Sequence, residues 1–360
     1  MKIQTKKWHK IFLIGFVLVI VVAFGAEKYT EKSREKEALA DLNLYLELRY
    51  TILFDFLKSM GTEVRSASTN HLVPASAENL SSDWKNLSSK EKKMIEDFFY
   101  QKNDPSNILK LSQAQTQYLH NHQEFEVYSK KFIEHFGYYD LFLIAENGDV
   151  VYSFAKEKDF GTNLKNGPYN KTALAEIYQR AINLSSKDIE SNKDVLIFSD
   201  FEAYAPSNGE PAAFCGYPIQ KNGKTIGVFA LQIPTAYINK MMQFTAGMGK
   251  TGETYLVGHD KLMRSQSRFT QEQTTLRKTV DTVSVREGLL GKKGAQVTRD
   301  YRDIPVISAY APIDFGGHAW VVLAEIDLSE VLSGLREWTI GMLVFGVLIV
   351  GIVSFMYKKR

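Results

Sequence analysis

Two apolar runs, Ile11 to Ala26 and Trp338 to Tyr357, bracket this chain, and each carries its basic residues on the side facing away from the residues between them. Lys2, Lys6, Lys7 and Lys10 precede the first run; Lys358, Lys359 and Arg360 follow the second. Crossing a hydrocarbon core about 30 Å thick takes about 20 apolar residues in a helix, and the second run meets that length without a charge. It reads as a transmembrane helix. The first run is shorter, so an uncleaved anchor competes with a signal peptide cut near Ala23-Phe24-Gly25; the polar sequence that follows reads as an immediate helix, which favours the anchor. The positive-inside rule then puts both ends in the cytoplasm and residues 27 to 337 outside it, the layout of a two-pass membrane protein with an extracytoplasmic domain.

The span between the runs, about 310 residues, has room for two modules of ordinary size. Aromatics at 12% and charged residues at 24% fit a packed region rather than a disordered one. A net charge of +3, much of it at the two ends, gives no basis for a nucleic-acid partner. Cys215 is the only cysteine, so no intrachain disulfide and no cysteine-based zinc site can form. It lies in the apolar stretch Ala212 to Tyr217 and reads as a small buried hydrophobe rather than a reactive thiol.

From Leu39 the positions Leu42, Leu46, Leu53, Phe56 and Met60 recur at helical spacing, predicting a long helix whose seam packs on another helix. Arg49 interrupts the seam, either at the edge of a helical pair or as a register device in a dimer. Ser88 with Glu91 forms a capping box, and Asp104-Pro105 reads as the start of a helix striped by Leu111, Tyr118, His122, Phe125, Phe132 and Phe136. After Gly137 the period changes. Tyr138 to Ala145 and Val150 to Phe154 flank Asn147-Gly148 as a hairpin, and Ala213 to Ile219 and Thr225 to Ile233 flank Asn222-Gly223 as another. Between them a helix is expected over Lys171 to Leu184 and a strand over Val195 to Phe201; a short helix follows at Tyr237 to Phe244. The theme restarts with Glu253 to Val257, a turn at Gly258-His259-Asp260 and a return through Leu262-Met263-Arg264-Ser265. Strands at Gln296 to Tyr301, Pro305 to Pro312 and His318 to Glu325 then form a meander, and a helix from Leu328 to Trp338 is expected to run straight into the second span.

The segments Tyr139-Asp140-Leu141-Phe142-Leu143-Ile144, Asp200-Phe201, Pro211-Ala212-Ala213-Phe214 and Thr251-Gly252-Glu253-Thr254-Tyr255-Leu256-Val257-Gly258, with Leu262-Met263-Arg264-Ser265, resemble the double-Cache (dCache) sensors of bacterial chemotaxis receptors, sensor histidine kinases and nucleotide cyclases. The resemblance spans roughly residues 30 to 338. It implies an α+β fold of two PAS-like Cache modules with antiparallel sheets on a long N-terminal helix, flanked by two transmembrane helices. The divisions expected are a basic N-terminus (1–10), a first span (11–26), a helical stalk and helical section (27–137), a membrane-distal Cache module (138–245), a membrane-proximal module (246–337), a second span (338–357) and a cytoplasmic end (358–360). Family members continue past the second span into a HAMP linker and a signalling domain, whereas this sequence stops at Arg360. The expectation is a sensing part that is truncated or that works through a separate partner. The Arg-x-Trp-Tyr signature of the amino-acid-binding branch is absent, so an amino-acid ligand is not carried over.

Other constellations yield less. Gly249-Lys250-Thr251 lacks the glycine a phosphate loop needs five residues before Gly249, where Phe244 stands, and reads as a hinge between modules. His120, His122 and Glu126 do not reproduce a zinc spacing, and no Gly-x-Ser-x-Gly elbow occurs, so neither a metal nor a catalytic site is expected. The polar and aromatic residues Asp140, Tyr152, Lys156, Tyr169, Asp200, Tyr204, Phe214 and Tyr217 fall on the strands of the first sheet or the loops capping them. An aromatic concavity with a few placed charges is how small-ligand pockets are built, and the resemblance puts the pocket on this face. Arg264, Arg268, Asp300 and Tyr301 of the second module read as structural ion pairs before a second site. The sequence thus predicts a dimeric, non-enzymatic transmembrane receptor, without cofactor, that binds a small molecule and signals through a chemotaxis, two-component or cyclic-nucleotide output. The alternative is a regulatory membrane protein whose Cache modules dock a partner protein.

Overall fold

The computed structural model describes residues 2–100, 111–190 and 197–359; the expected helix start at Asp104-Pro105 lies outside them, as does Val195. Helix α1, Lys2–Thr69, runs 68 residues without a break. Its seam of Leu42, Leu46, Leu53, Leu57, Met60 and Val64 is buried, but against the sheets of its own chain, not a second long helix. Arg49 is buried there too. Its guanidinium donates to the Phe244 carbonyl and lies 5.1 Å from the Phe244 ring, so it ties α1 to the link between the two modules rather than setting a helix-pair register.

Three helices follow: α2 (Leu72–Asn86), α3 (Ser89–Tyr100) and α4 (Gln113–Phe136). The Ser88 capping box forms, with the Glu91 carboxylate accepting from the Ser88 N–H at 2.8 Å. A second box, overlooked in the sequence, opens α4: the Ser112 hydroxyl accepts from the Gln115 N–H, and the Gln115 side chain accepts from the Ser112 N–H. Gly137 ends α4 at φ +75°, a left-handed geometry that glycine adopts without steric cost.

The first sheet contains β1 (Asp140–Ala145), β2 (Val150–Ser153), β3 (Ile197–Phe198), β4 (Glu202–Tyr204), β5 (Glu210–Lys221) and β6 (Lys224–Ile233), in the order β2-β1-β6-β5-β3 with β4 on β5. The β5–β6 turn has Asn222 at φ +51° and Gly223 at φ +74°, the paired positive angles that favour Asn-Gly in a hairpin. Strand alternation gives this sheet two different faces. Leu141, Leu143, Cys215, Tyr217, Phe229 and Leu231 face α1, α2 and α4; Phe142, Ile144, Phe214, Val228 and Ala230 face α5 (Ala173–Ile182). Two short helices, α6 (Ser186–Glu190) and α7 (Thr235–Met242), complete this module.

The second sheet has β7 (Glu253–Gly258), β8 (Gly294–Arg299), β9 (Pro305–Phe315) and β10 (His318–Asp327), in the order β7-β10-β9-β8, with α8 (Val283–Leu289) on one face. Leu262 to Ser265 does not add a strand. It makes two isolated bridges, Val257 with Met263 and Leu262 with Thr279, before Arg264 reaches the first module. The return to the apolar end is broken as well: α9 (Leu328–Val331) stops, Gly334 takes φ +73°, and α10 (Leu335–Lys359) begins anew. Helices α1 and α10 are each long and apolar enough to cross a membrane, and their apolar parts pack closely. A Cβ on Gly346 would stand 2.4 Å from Val19, and one on Gly15 would stand 3.0 Å from Val350.

Candidate ligand site

On the α5-facing side of the first sheet, a row of residues crosses three strands. Asp140 of β1 pairs with Gln232 of β6, and Gln232 pairs with Phe214 of β5. The loop after β2 covers this row and brings Asp159 down onto it, held by a 2.6 Å hydrogen bond from the Tyr204 hydroxyl. The Tyr204 ring in turn sits 4.8 Å from Phe214. Tyr169 is half-buried against the same apolar cluster.

The chemistry of this cluster is one-sided. Asp140 is fully buried and accepts from the N–H groups of Leu141, Phe154 and Ala155 and from the Ser153 hydroxyl. Burial and the neighbouring Asp159 raise its pKa, while burial raises that of Asp159, with a further push from Glu157. Glu157 accepts from the Ser207 and Tyr139 hydroxyls. Gln232 donates to Ser207 at 3.3 Å. Among the described residues, none of the three carboxylates has an ion pair, and two buried acceptors, Asp159 Oδ1 and Gln232 Oε1, have no hydrogen-bond partner. A buried acceptor without a donor costs about 1–3 kcal/mol, more if charged. The cluster thus leaves two buried acceptor positions open among the described residues.

The remaining expected residues lie elsewhere. Tyr152 and Tyr217 point to the helical face of the sheet. Tyr152 bonds Ser129 and donates to Glu126 at 2.7 Å, and its ring lies 4.8 Å from His122, which burial and the nearby Lys156 charge hold well below the usual histidine pKa. Lys156 pairs with Glu126 at 2.7 Å and leaves the acidic cluster uncompensated. Asp200 faces the second module: its two carboxylate oxygens accept from Arg264 at 2.7 and 2.8 Å, and one also accepts from the Trp320 indole at 2.9 Å. Asp140, Tyr169, Tyr204 and Phe214 are thus brought together, while Tyr152, Lys156, Asp200 and Tyr217 are not part of that group.

Asp159, Glu157, Ser207 and Gln232 were not singled out from sequence. Lys156-Glu157-Lys158-Asp159 looks like a solvated charge run. Gln232 left a readable trace, a polar residue in register with Val228 and Ala230 on a face that is otherwise apolar. In the second module, Arg264 and Asp300 do form ion pairs, with Asp260 and Arg302 respectively. The Gly249-Lys250-Thr251 segment presents its backbone to a protein carboxylate: Glu330 accepts from the Lys250 and Thr251 N–H groups at 2.7 Å each. Among the described residues, no cluster of His, Cys, Asp and Glu suits a metal ion.

Several comparisons bear on this architecture. No curated protein sequence matches the chain. Among solved structures, the ligand-binding domain of the Campylobacter jejuni chemoreceptor Tlp3, in complex with 4-methylisoleucine, is similar at 12% identity, covering 85% of this chain and 97% of that one with a TM-score of 0.51. The Pseudomonas fluorescens chemoreceptor CtaA domain with L-isoleucine gives 11% identity, coverages of 86% and 99%, and a TM-score of 0.43. The Vibrio cholerae histidine kinase DctB sensor domain gives 14%, 58% and 80%, and 0.38. At these identities the likeness to Tlp3 is one of fold. The Cache domain model dCache_1 matches residues 64–335, most of the chain, and on that ground the chain belongs to the double-Cache family of sensor domains.

Proposed function

We propose that this protein is a two-pass membrane receptor whose first, membrane-distal module binds a small amine-bearing solute at Asp159 and Gln232, in an acidic environment set by Asp140 and Glu157. The observation that carries this reading is the pair of buried, unpartnered acceptors beside carboxylates that have no ion pair among the described residues. A protonated amine supplies the missing donors and charge. Tyr204 and Phe214 wall the site with aromatic surface, and Tyr169 stands at its rim. Tlp3 was solved with 4-methylisoleucine, which bears an amine; in this chain Lys156, at the start of the covering loop, is held by Glu126.

The receptor lies in a bacterial inner membrane with residues 27 to 337 in the periplasm, and signals to a cytoplasmic partner or domain of chemotaxis, two-component or cyclic-nucleotide type. It acts as a homodimer through the outward stripe Leu44, Leu48 and Ile52 of α1, exposed at helical spacing. The test is a thermal-shift screen of the full chain in detergent against primary amines, diamines and amino acids, because a ligand that binds only the folded state raises its melting temperature. Stabilisation by amines, lost in Asp159→Asn, supports the reading. Stabilisation only by anionic or neutral solutes counts against it.

A further inference from the structure

The second module has a groove of its own, on the loop between Leu262 and Thr279. That loop is closed on itself by an isolated bridge between those two residues and by hydrogen bonds from the Met263 N–H to the Lys278 carbonyl and the Leu276 N–H to the Met263 carbonyl. Inside it, the Gln266 side chain donates to the Thr270 and Glu272 carbonyls at 3.2 and 2.7 Å and accepts from the Thr274 N–H at 3.0 Å. The loop is therefore preorganised. With Tyr301 and Arg302 it walls a cavity of about 620 Å³, of the size that small-molecule sites occupy. An adjoining cavity of about 410 Å³ shares Ser267 and Thr270 and adds Arg268.

Its charge is unbalanced. Arg277 and Lys278 line the larger cavity against one carboxylate, Glu272, while Arg302, also in its wall, is paired with Asp300 and Asp327. Elsewhere in this module the cations find acids: Lys261 and Arg286 meet Asp281, Lys292 meets Glu287, and Arg299 meets Asp303. Arg277 and Lys278 have no ion pair among the described residues. A second acid, Glu253, lies behind the wall and accepts hydrogen bonds from the Ser267 and Tyr301 hydroxyls, which leaves Arg277 and Lys278 to meet a ligand.

Arg302 gives the groove a mechanical connection. Its guanidinium lies 4.0 Å from the Phe269 ring and 6.0 Å from the Tyr301 ring, and pairs with Asp300 at 2.5 Å and Asp327 at 2.6 Å. Asp327 is the last residue of β10 and immediately precedes α9. An anion in the groove competes with Asp327 for Arg302, and so prefers a different arrangement of the junction that leads to the membrane helix.

We propose that this groove is a second ligand site, for a small anion bearing phosphate or carboxylate groups, held by Arg277 and Lys278 and linked to the β10–α9 junction through Arg302. The phosphate can come from a free solute or from a lipid headgroup. The experiment uses the full chain in nanodiscs of phosphatidylcholine, titrated with inorganic phosphate or citrate, alongside discs containing phosphatidylglycerol. Saturable stabilisation by phosphate or citrate, weakened about tenfold or more in Arg277→Gln/Lys278→Gln, is expected for a free solute. Stabilisation confined to phosphatidylglycerol discs and lost in the same variant assigns the site to a headgroup. No saturable effect from any probe, or an effect unchanged in the double variant, overturns the proposal. Both positions are exposed, so the variant folds, and Asp159→Asn should leave this response intact, which separates the failure of this site from that of the first module.

Discussion

Asp200 of the first module grips Arg264 of the second through two parallel hydrogen bonds, at 2.7 and 2.8 Å. The planar guanidinium and the carboxylate match in geometry, so this contact fixes orientation as well as distance. Around it Phe198 meets Phe315 and Trp320 edge to face, and Arg180 reaches the Gly316 carbonyl at 3.0 Å. Phe214, in the row crossing the candidate site, accepts at its carbonyl from the N–H of Ser199, the residue beside Asp200. The site and the module junction are thus one strand contact apart.

Asp200→Ala should therefore loosen the junction more than the site. Arg264 is nearly inaccessible and keeps only Asp260 as an acidic partner, so the expected destabilisation is about 1–3 kcal/mol. Denaturant unfolding measures it. Ligand affinity should stay within about threefold while signalling output falls; a variant that loses affinity with its junction intact would place Asp200 in the pocket after all.

Gly258→Ala tests the same contact from the other side. A Cβ there would stand 2.3 Å from the Arg264 guanidinium carbon, so the side chain must leave its present position. The expected signature is the loss of coupling between Asp200 and Arg264 in a double-mutant cycle, a nonzero interaction energy in the parent falling to near zero.

Arg34 of α1 donates to the Ser333 carbonyl at 2.7 Å, directly before the break at Gly334. This ties α1 to the segment that leads into α10. Arg34→Ala should preserve ligand affinity and reduce output, read with the natural partner or with a signalling domain fused after Arg360. Gly334→Ala should cost about 1–2 kcal/mol because its φ of +73° is left-handed.

Much of the fold was legible because it follows from period and turn chemistry. Asn222-Gly223 specified its hairpin, and Ser88 with Glu91 specified a helix start. Gly334 was legible as the one candidate break within Leu328 to Trp338, but that the helix actually stops there was not, because the Arg34 and Glu330 contacts beside it come from folding. The site was half legible for a similar reason. Tyr204 and Phe214 sit on strands whose alternation can be read, whereas Asp159 arrives on a loop and its burial depends on Tyr204, 45 residues away. Asp200 looked like a pocket residue because only the folded chain brings Arg264 to it.

Glu325 is buried beside the Tyr255 hydroxyl, 2.8 Å away, and burial pushes its pKa up to about 7. An unfolded glutamate titrates near about 4.3. Between those values the folded protein binds more protons than the unfolded one, so this group's contribution is full below the lower value and is lost as pH rises through about 7. Glu325→Gln should flatten the decline in melting temperature across that window; an unchanged slope would assign it to Glu253, Asp140 and Asp159, whose pKa values burial also raises.

Isothermal titration of a stabilising amine at several pH values tests the proposed pairing of the carboxylates around Asp159 with an organic cation. The amine prefers ionised carboxylates, whose pKa values the fold raises, so binding should release protons and tighten as pH rises through their titration. Asp159→Asn should weaken it by about 10–100-fold, the 1.5–3 kcal/mol of a charged hydrogen bond, and abolish most of the pH dependence. Affinity that is independent of pH and unchanged in Asp159→Asn would contradict the account.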